Sequence, residues 1–584
     1  MTAHANRWFE FVLRRLRPNA GAVERVAIDG LTAFAPVWAA AALFSIAGDR
    51  DALLFRADAL TSLLTWSAIA AALALILRPR SLRLLVVLAC LMLARYAIAM
   101  PVAWKNKLIA AFMNAGIVPI VATAVLTQAN RLELREFIYE RMRVVARALL
   151  AVMYFYGIFH KLNADFLDPR VSCAVALYMP LADGFGLQDN LTGKYLAIWS
   201  TFIVEAIAIV SLYWKRYFAV GLLLALVFHF VIPISVYSWY MDFSSLVLAL
   251  YILSVPREVS EQFYERCARI FRALRRRFGE LASLLPFVGI FVATITLVAA
   301  LATFNRTVPI AQSHIYQSVW VLLWVVYGGV AMIFLADAAL AHLPWRGRAG
   351  SRMPLWLYAL PCILFIVSAT PYVGLRTEAS IAMFSNLHTE GGSTNHLLLD
   401  PVYLFPYQKD VAMLRDSSDP TMQHLAARNL GLVMFSVNEY LRRNPHHWLT
   451  YDLHGVRHER VSAAALGAQH HANWFERTFL IFKPVDYARA IAEHEGALYL
   501  GTHQWEALRA LELDREPLVG GYQLWASENG DDDAAAEALF AAVIQEQPAR
   551  AVAHAADSSF ELSFEDPADA ALAALEVESP VKQA

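Results

Sequence analysis

Long apolar stretches separated by short basic loops fill the first two thirds of this chain. A stretch of about 20 mainly apolar residues is long enough to cross a bilayer as a helix. By this measure we predict about eleven spans in a transmembrane domain at residues 29–372. They begin near residues 29, 58, 84, 107, 143, 194, 217, 240, 284, 315 and 354. The pattern predicts a polytopic α-helical membrane protein.

Basic residues orient these spans, because arginine and lysine are enriched in cytoplasmic loops. The loops after the second, fourth, sixth and tenth spans are basic and fall on one side, which we predict to be cytoplasmic. Residues 1–28 are basic and aromatic, which predicts an interfacial helix on that side. Residues 257–280 predict either a basic amphipathic helix on an anionic leaflet or a solvated helix between spans. An odd number of spans places the N-terminus in the cytoplasm and the C-terminal domain in the periplasm or a lumen.

The chain becomes more polar after residue 372, which predicts a change of domain. We predict a smaller mixed α/β or β-rich extracytoplasmic domain at 373–528 and an acidic, alanine-rich, partly disordered tail at 529–584. Within this region, alternating apolar residues predict strands and helical spacing predicts helices. The predicted strands are 448–451 and 478–482, and the predicted helices are 410–429 and 486–495.

Composition excludes several classes of protein. Hydrophobic residues make up 58% and charged residues 17% of the chain, whereas a soluble domain has roughly 45–50% and about 25%. These proportions exclude an ordinary cytosolic enzyme and a disordered chain. The 49 basic and 50 acidic residues leave no positive surplus, so we predict no nucleic-acid partner. The four cysteines lack ligand spacing, and His454 and His458 are expected at the surface, so we predict no metal site.

Ionisable side chains inside the predicted spans are the candidates for chemistry, since they are costly in a bilayer. Lys161 lies at the outer end of the fifth span beside His160, and Tyr154 precedes it by seven residues on the same helical stripe. A desolvated lysine beside another cation-capable group could act as a neutral base. The alternative is a lysine whose side chain extends to the membrane interface.

Two more ionisable residues lie in the next spans. Glu205 is in the sixth span and His229 in the seventh. Each could be a single polar contact between helices. Together with His160 and Lys161 in the preceding span, they could instead line one polar cavity.

The segment Phe159–Phe166 resembles a motif of the horizontally transferred transmembrane (HTTM) domain family, in particular the bacterial-type relatives of vitamin K-dependent gamma-glutamyl carboxylases. Two further regions are similar to that family. They are His229 with the stretch at 240–244, and the junction at 371–375 and 383–396. The resemblance covers roughly residues 20–490.

The resemblance implies a mechanism and a set of site residues. Lys161 matches a lysine that deprotonates reduced vitamin K, after which oxygen converts the quinol to an epoxide through a strongly basic alkoxide. That alkoxide removes a γ-proton from a glutamate, and the carbanion captures carbon dioxide. The expected catalytic residues are Lys161, His160, His229 and Glu205, and the expected cofactor-binding residues are Tyr154 and Asn163.

The implied cofactor is reduced vitamin K or a menaquinol-type quinol, with carbon dioxide and oxygen as co-substrates of a lyase or oxidase. The implied partners are the lipid bilayer, a quinol-like lipid and a peptide or protein substrate. The chain departs from the carboxylases at Lys107, which stands where they have a histidine, and it has no counterpart of their large propeptide-binding region. The alternative function is a non-catalytic scaffold or transport module whose outer domain binds an envelope partner.

Overall fold

The computed structural model describes most of the chain up to residue 486 and two strands beyond it. The described residues are 29–53, 55, 57–100, 105–128, 131–170, 172–183, 185–187, 190–214, 216–235, 240–282, 311–343, 353–382, 384–392, 394–400, 402–427, 430–466, 472–486, 551–556 and 559–564. The chain divides into two compact units. The helical unit comprises residues 1–156 and 203–367, and the mixed unit comprises residues 157–202 and 368–584.

Helices dominate the described part of the chain. In chain order they are α1 (Gly30–Ala47), α2 (Arg50–Leu53), α3 (Ala59–Leu77), α4 (Leu82–Ile98), α5 (Lys105–Thr127), α6 (Arg131–Phe159), α7 (Ala164–Leu167), α8 (Cys173–Asp183), α9 (Leu191–Tyr213), α10 (Phe218–Ser235), α11 (Met241–Ser254), α12 (Arg257–Ala282), α13 (Ala311–Ala341), α14 (Ala359–Ser368), α15 (Pro420–Ala427), α16 (Met434–Arg443) and α17 (Trp474–Phe479). Helix α12 confirms the helix predicted at 257–280, and Gly279, with φ of 81°, interrupts its last turn.

Six helices among the described residues are apolar and long enough to cross a bilayer. They are Gly30–Ala47, Ala59–Leu77, Lys107–Thr127, Glu133–Phe159, Leu191–Tyr213 and Trp320–Ala341. Shorter apolar helices lie at Phe218–Ile234, Met241–Ser254 and Leu355–Ser368. These helices indicate a membrane protein, while the predicted count of about eleven spans stays a prediction. The span predicted near residue 284 and the interfacial helix predicted at residues 1–28 lie outside the described residues.

Helix α11 forms the buried centre of the helical unit, since every one of its residues is buried. It packs along α1, whose first residue, Gly30, lies against the ring of Tyr139 where a side chain would have no room. Asp29 caps α1, and Arg135 of α6 donates to its Oδ1 at 2.9 Å. The buried Arg135 guanidinium is therefore balanced by a carboxylate.

The mixed unit contains a five-stranded antiparallel sheet in the order β4-β3-β1-β2-β5. Its strands are β1 (Val411–Ser417), β2 (Leu430–Val433), β3 (Trp448–Leu453), β4 (Val456–Ser462) and β5 (Val485–Asp486), and a separate pair joins β6 (Ala551–Ala556) to β7 (Ser559–Phe564). Helix α16 packs its buried residues Val437 and Leu441 into a core with Leu414, Leu449 and Tyr451. Strand β3 confirms the strand predicted at 448–451.

Two other predictions in this region were wrong. Residues 410–429 were expected to be helical, but 411–417 form β1 and only Pro420–Ala427 are helical. Strand β1 is central in the sheet, so the consecutive residues Val411 to Leu414 are all buried. They are therefore all apolar and lack the alternation of apolar and polar residues that reveals a strand.

The strand expected at 478–482 is also absent, because α17 continues to Phe479. A capping box fixes its start: Asn473 Oδ1 accepts from Glu476 N at 3.0 Å, and Glu476 Oε2 accepts from Asn473 N at 2.7 Å. Leu480 and Phe482 are buried without forming a strand. The helix predicted at 486–495 lies outside the described residues, except for Asp486 at the end of β5.

Candidate functional site

The predicted base, Lys161, lies in a buried turn that follows α6 directly. Lys161 N donates to Ile158 O at 3.0 Å, which closes the turn. Its side chain is buried, with the residue only 5% exposed, and Nζ lies 5.6 Å from the centre of the Phe166 ring. This burial argues against the alternative in which the Lys161 side chain extends to the membrane interface.

His160, the neighbour of Lys161, is completely buried and held by two hydrogen bonds. Its Nε2 lies 3.2 Å from Ser380 O, and its Nδ1 lies 2.7 Å from the Tyr372 hydroxyl. A carbonyl oxygen only accepts, so Nε2 carries a proton, and in a neutral ring Nδ1 accepts from Tyr372. The ring also stacks on Tyr372, with centroids 5.5 Å apart. The orientation of His160 is therefore fixed from both sides.

Asn163 holds the other end of the turn. Its Oδ1 accepts from Phe166 N at 2.8 Å and caps α7, while Nδ2 donates to His160 O at 2.7 Å and to Ser385 O at 2.5 Å. Asp165 continues this network through Asn395 Nδ2, which donates to its carboxylate. These bonds position the turn that carries Lys161, and a contact of Asn163 with a cofactor stays a prediction.

The segment that supplies these carbonyl groups has an unusual backbone. Four of its residues have φ between 51° and 61°, namely Ala379, Ile381, Phe384 and Asn386. Residues other than glycine and asparagine rarely adopt this left-handed conformation. Such residues cost of order 1 kcal/mol each and concentrate where function requires a fixed geometry. Here the segment presents Ser380 O and Ser385 O to the turn around Lys161.

Tyr154 and His229 meet inside the helical unit. The Tyr154 hydroxyl lies 3.0 Å from His229 Nε2 and accepts from the Tyr251 hydroxyl at 3.1 Å. All three side chains are buried. Glu205 is buried as well and lies close enough to act electrostatically on Tyr154. Tyr251 was missed from the sequence because a tyrosine in an apolar span gives no charge signal.

The six predicted site residues thus fall into two groups, three in each unit. Tyr154, Glu205 and His229 belong to the helical unit, and His160, Lys161 and Asn163 belong to the mixed unit.

A small cavity of about 20 Å³ lies within the helical unit. Its polar lining includes Lys107 and Asp242, together with Asn114, whose Oδ1 accepts from Trp38 Nε1 at 3.1 Å. The apolar lining includes Leu246 and several alanines. Lys107 and Asp242 both belong to positions compared with the carboxylases in the sequence, the latter within the stretch 240–244. Asn114 was not predicted, although a polar residue within an apolar run was the signal available.

A buried charge cluster, formed by Glu390, His388 and Lys483, lies in the mixed unit. Glu390 Oε2 accepts from Thr389 N at 2.9 Å and lies 3.4 Å from His388 Nδ1. Burial alone would raise the pKa of Glu390, but the charge of Lys483 and the His388 contact outweigh it and lower this pKa to about 2. Lys483 also donates to Leu387 O.

Of the two histidines expected at the surface, His454 lies in the exposed turn between β3 and β4, and His458 lies half-buried on β4. His454 lies 3.1 Å from Asp410 Oδ1 and is 70% exposed, and His458 stacks on Tyr451. Among the described residues, no group of three or more histidine, cysteine or acidic side chains could hold a metal ion.

No family model, curated protein or solved structure matches this chain. Membership of the HTTM family therefore rests on the sequence resemblance alone and stays a prediction.

Proposed function

We propose that this protein is an integral membrane enzyme in which Lys161 is a base toward the hydroxyl of a quinol-type lipid. The observation that carries the proposal is the burial of Lys161 beside the buried His160, directly after an apolar helix long enough to cross a bilayer. Chemistry on a lipid-soluble molecule needs a base that the molecule can reach from the bilayer. Membership of the HTTM family is part of this proposal.

The aromatic surroundings of Lys161 suit a flat ring. Phe166 lies against its amine, and the rings of Phe159, Tyr372 and His160 pack together one residue away. His160 would hold the position of Lys161, because its two hydrogen bonds fix the turn from the side of Tyr372 and Ser380. A bound quinol would supply the hydroxyl proton that Lys161 accepts.

In its full form, the proposal follows the carboxylases. Reduced vitamin K or a menaquinol-type quinol is oxidised by oxygen, which gives a strongly basic alkoxide. The alkoxide removes a γ-proton from a glutamate of a peptide or protein substrate. The glutamate carbanion that results takes up carbon dioxide. We also propose the topology of about eleven spans, with the N-terminus in the cytoplasm and the C-terminal domain in the periplasm or a lumen. Reporter fusions at Lys409 and at Arg272 should report opposite sides of the membrane.

The test is quinol oxidation by the purified full chain in lipid nanodiscs, with menaquinol and phylloquinol. Lys161→Ala should lower the rate by about 10²–10⁴-fold, the usual contribution of a positioned acid or base. The control is Lys409→Ala, which removes an exposed lysine of the same unit and should leave the rate unchanged. Equal rates for Lys161→Ala and the wild type, with both proteins folded, would contradict the proposal.

A transport module is the second candidate, and the cavity of the helical unit favours it. A lysine and an aspartate beside a small cavity among apolar helices are typical of a path or binding site for a polar solute. If this function holds, Asp242→Asn should abolish solute uptake into proteoliposomes, whereas Lys161→Ala should not. Quinol oxidation that survives Asp242→Asn but not Lys161→Ala would contradict it.

A further inference from the structure

An exposed apolar loop in the mixed unit has no role in the proposed chemistry. We define the apolar loop as residues 397–400 and 402–405. Its large apolar side chains are 41% to 69% exposed. They are Leu397, Leu398, Leu399, Val402, Leu404 and Phe405. Exposed large apolar side chains grouped in this way usually mark contact with a partner or a membrane.

Two sets of backbone hydrogen bonds attach the apolar loop to the ends of apolar helices. Leu397 N donates to Leu162 O at 2.9 Å, and Leu162 lies three residues after the end of α6. Val402 N donates to Tyr372 O at 2.8 Å, and Tyr372 lies four residues after the end of α14. An extended chain spans at most about 3.6 Å per residue, so both attachment points lie within about 15 Å of a helix end.

The apolar loop is held rigidly at its first attachment. His396 Nε2 donates to Phe159 O at 3.0 Å, and its Nδ1 accepts from Leu398 N and Leu399 N at 3.1 Å each. The His396 ring also packs on Phe159, with centroids 4.9 Å apart. The same histidine therefore binds the last residue of α6 and orders the start of the loop.

We infer that the apolar loop inserts into the lipid interface and anchors the mixed unit to the membrane surface. Continuity with α6 and α14 selects lipid over another partner, because both helices are apolar and the loop is attached just beyond their ends. The exposed Asp400 within the loop limits the depth to the headgroup region, since a carboxylate is costly in the hydrocarbon core. Lys409, which lies 5.7 Å from the centre of the Tyr403 ring, suits the polar edge of such an anchor.

The test is photo-crosslinking of the full chain in phosphatidylcholine vesicles, with the photoreactive residue p-benzoylphenylalanine at Leu398 or at Leu404. The matched control carries the same residue at Val456, a similarly exposed apolar position on β4 of the same unit. Mass spectrometry should find lipid adducts at positions 398 and 404 and none at position 456. These positions are exposed, so the substitutions should leave the fold intact, which gel filtration checks.

Three results would overturn the inference. One is an absence of lipid adducts at both loop positions, and another is equal lipid labelling at position 456. The third is a crosslinked product with twice the mass of the chain, which would show that a second copy covers the loop. The readout needs no quinol and no turnover, so its outcome is separate from that of the proposed function.

Discussion

Replacing Glu390 with glutamine should strongly destabilise the mixed unit at neutral pH and hardly at all in acid. The Glu390 carboxylate is completely buried and is stabilised by Lys483 and His388. Burial acts to raise the pKa of Glu390, yet its neighbours lower it from the ordinary 4.5 to about 2. That difference corresponds to about 3 kcal/mol of folding free energy.

The sign of the pH dependence follows from the lowered pKa. The folded protein holds Glu390 ionised to lower pH than the unfolded chain does, so this stabilisation is complete above about pH 5. It is lost progressively as the pH falls toward about 2, where the folded protein also takes up the proton. Glutamine carries no charge at any pH. The gap in stability between the wild type and Glu390→Gln should therefore narrow on acidification.

The assay is thermal unfolding of the full chain in detergent, compared at neutral and acidic pH. A loss of about 3 kcal/mol in a unit of this size lowers the unfolding midpoint by about 6–12 °C. The control is Asp452→Asn, which removes a carboxylate that is 24% exposed. Burial acts to raise the pKa of Asp452, but hydrogen bonds from Arg457 and Arg415 outweigh it and lower this pKa, as the neighbours of Glu390 do. Exposed pairs contribute about 0.2–1 kcal/mol each, so this variant should lose much less.

Equal stability of Glu390→Gln and Asp452→Asn at neutral pH would contradict this prediction. The same difference in stability between the wild type and Glu390→Gln at neutral and acidic pH would contradict it as well. Either result would mean that the free energy of the buried charge cluster does not depend on the ionised carboxylate.

Two further substitutions test the packing of the mixed unit by the same thermal unfolding. Gly374→Ala should lower the free energy of unfolding by more than about 1 kcal/mol, because Gly374 has φ of 78° and a Cβ there would meet Phe405 O. An unchanged unfolding midpoint would mean that the turn can relax. Leu449→Ala should cost about 2–5 kcal/mol, since Leu449 is completely buried in the core of the sheet. The control Val456→Ala, at an exposed strand position, should change the free energy of unfolding by no more than about 0.5 kcal/mol. Similar losses for Leu449→Ala and Val456→Ala would contradict the packing argument.

The sequence predicted those features that depend on neighbouring residues. Apolar runs of sufficient length predicted the helices that could cross a bilayer, and alternation predicted β3. Lys161 and His160 were found because ionisable residues stand out in an apolar run. The central strand β1 was mistaken for a helix, because burial on both faces removes the alternation that reveals a strand.

The contacts of the candidate site could not be predicted, because they join distant parts of the chain. Tyr372 is 212 residues from His160, and Tyr251 is 97 residues from Tyr154. No local periodicity encodes such a pair. The left-handed backbone at Ile381 was equally hidden, since a β-branched residue is a poor choice for that conformation and only the tertiary contacts of the segment enforce it.

The interrupted order of the mixed unit along the chain has a consequence for biosynthesis. Residues 157–202 belong to it, but the rest begins only at residue 368, after the ribosome has made a large part of the helical unit. Asn163 and Asp165 bond to groups made 222 and 230 residues later. At about 5–20 residues per second, translation takes on the order of 10–50 s to supply those partners. The turn around Lys161 therefore gains its bonds to Ser385 and Asn395 only after the segment beyond residue 368 has been made.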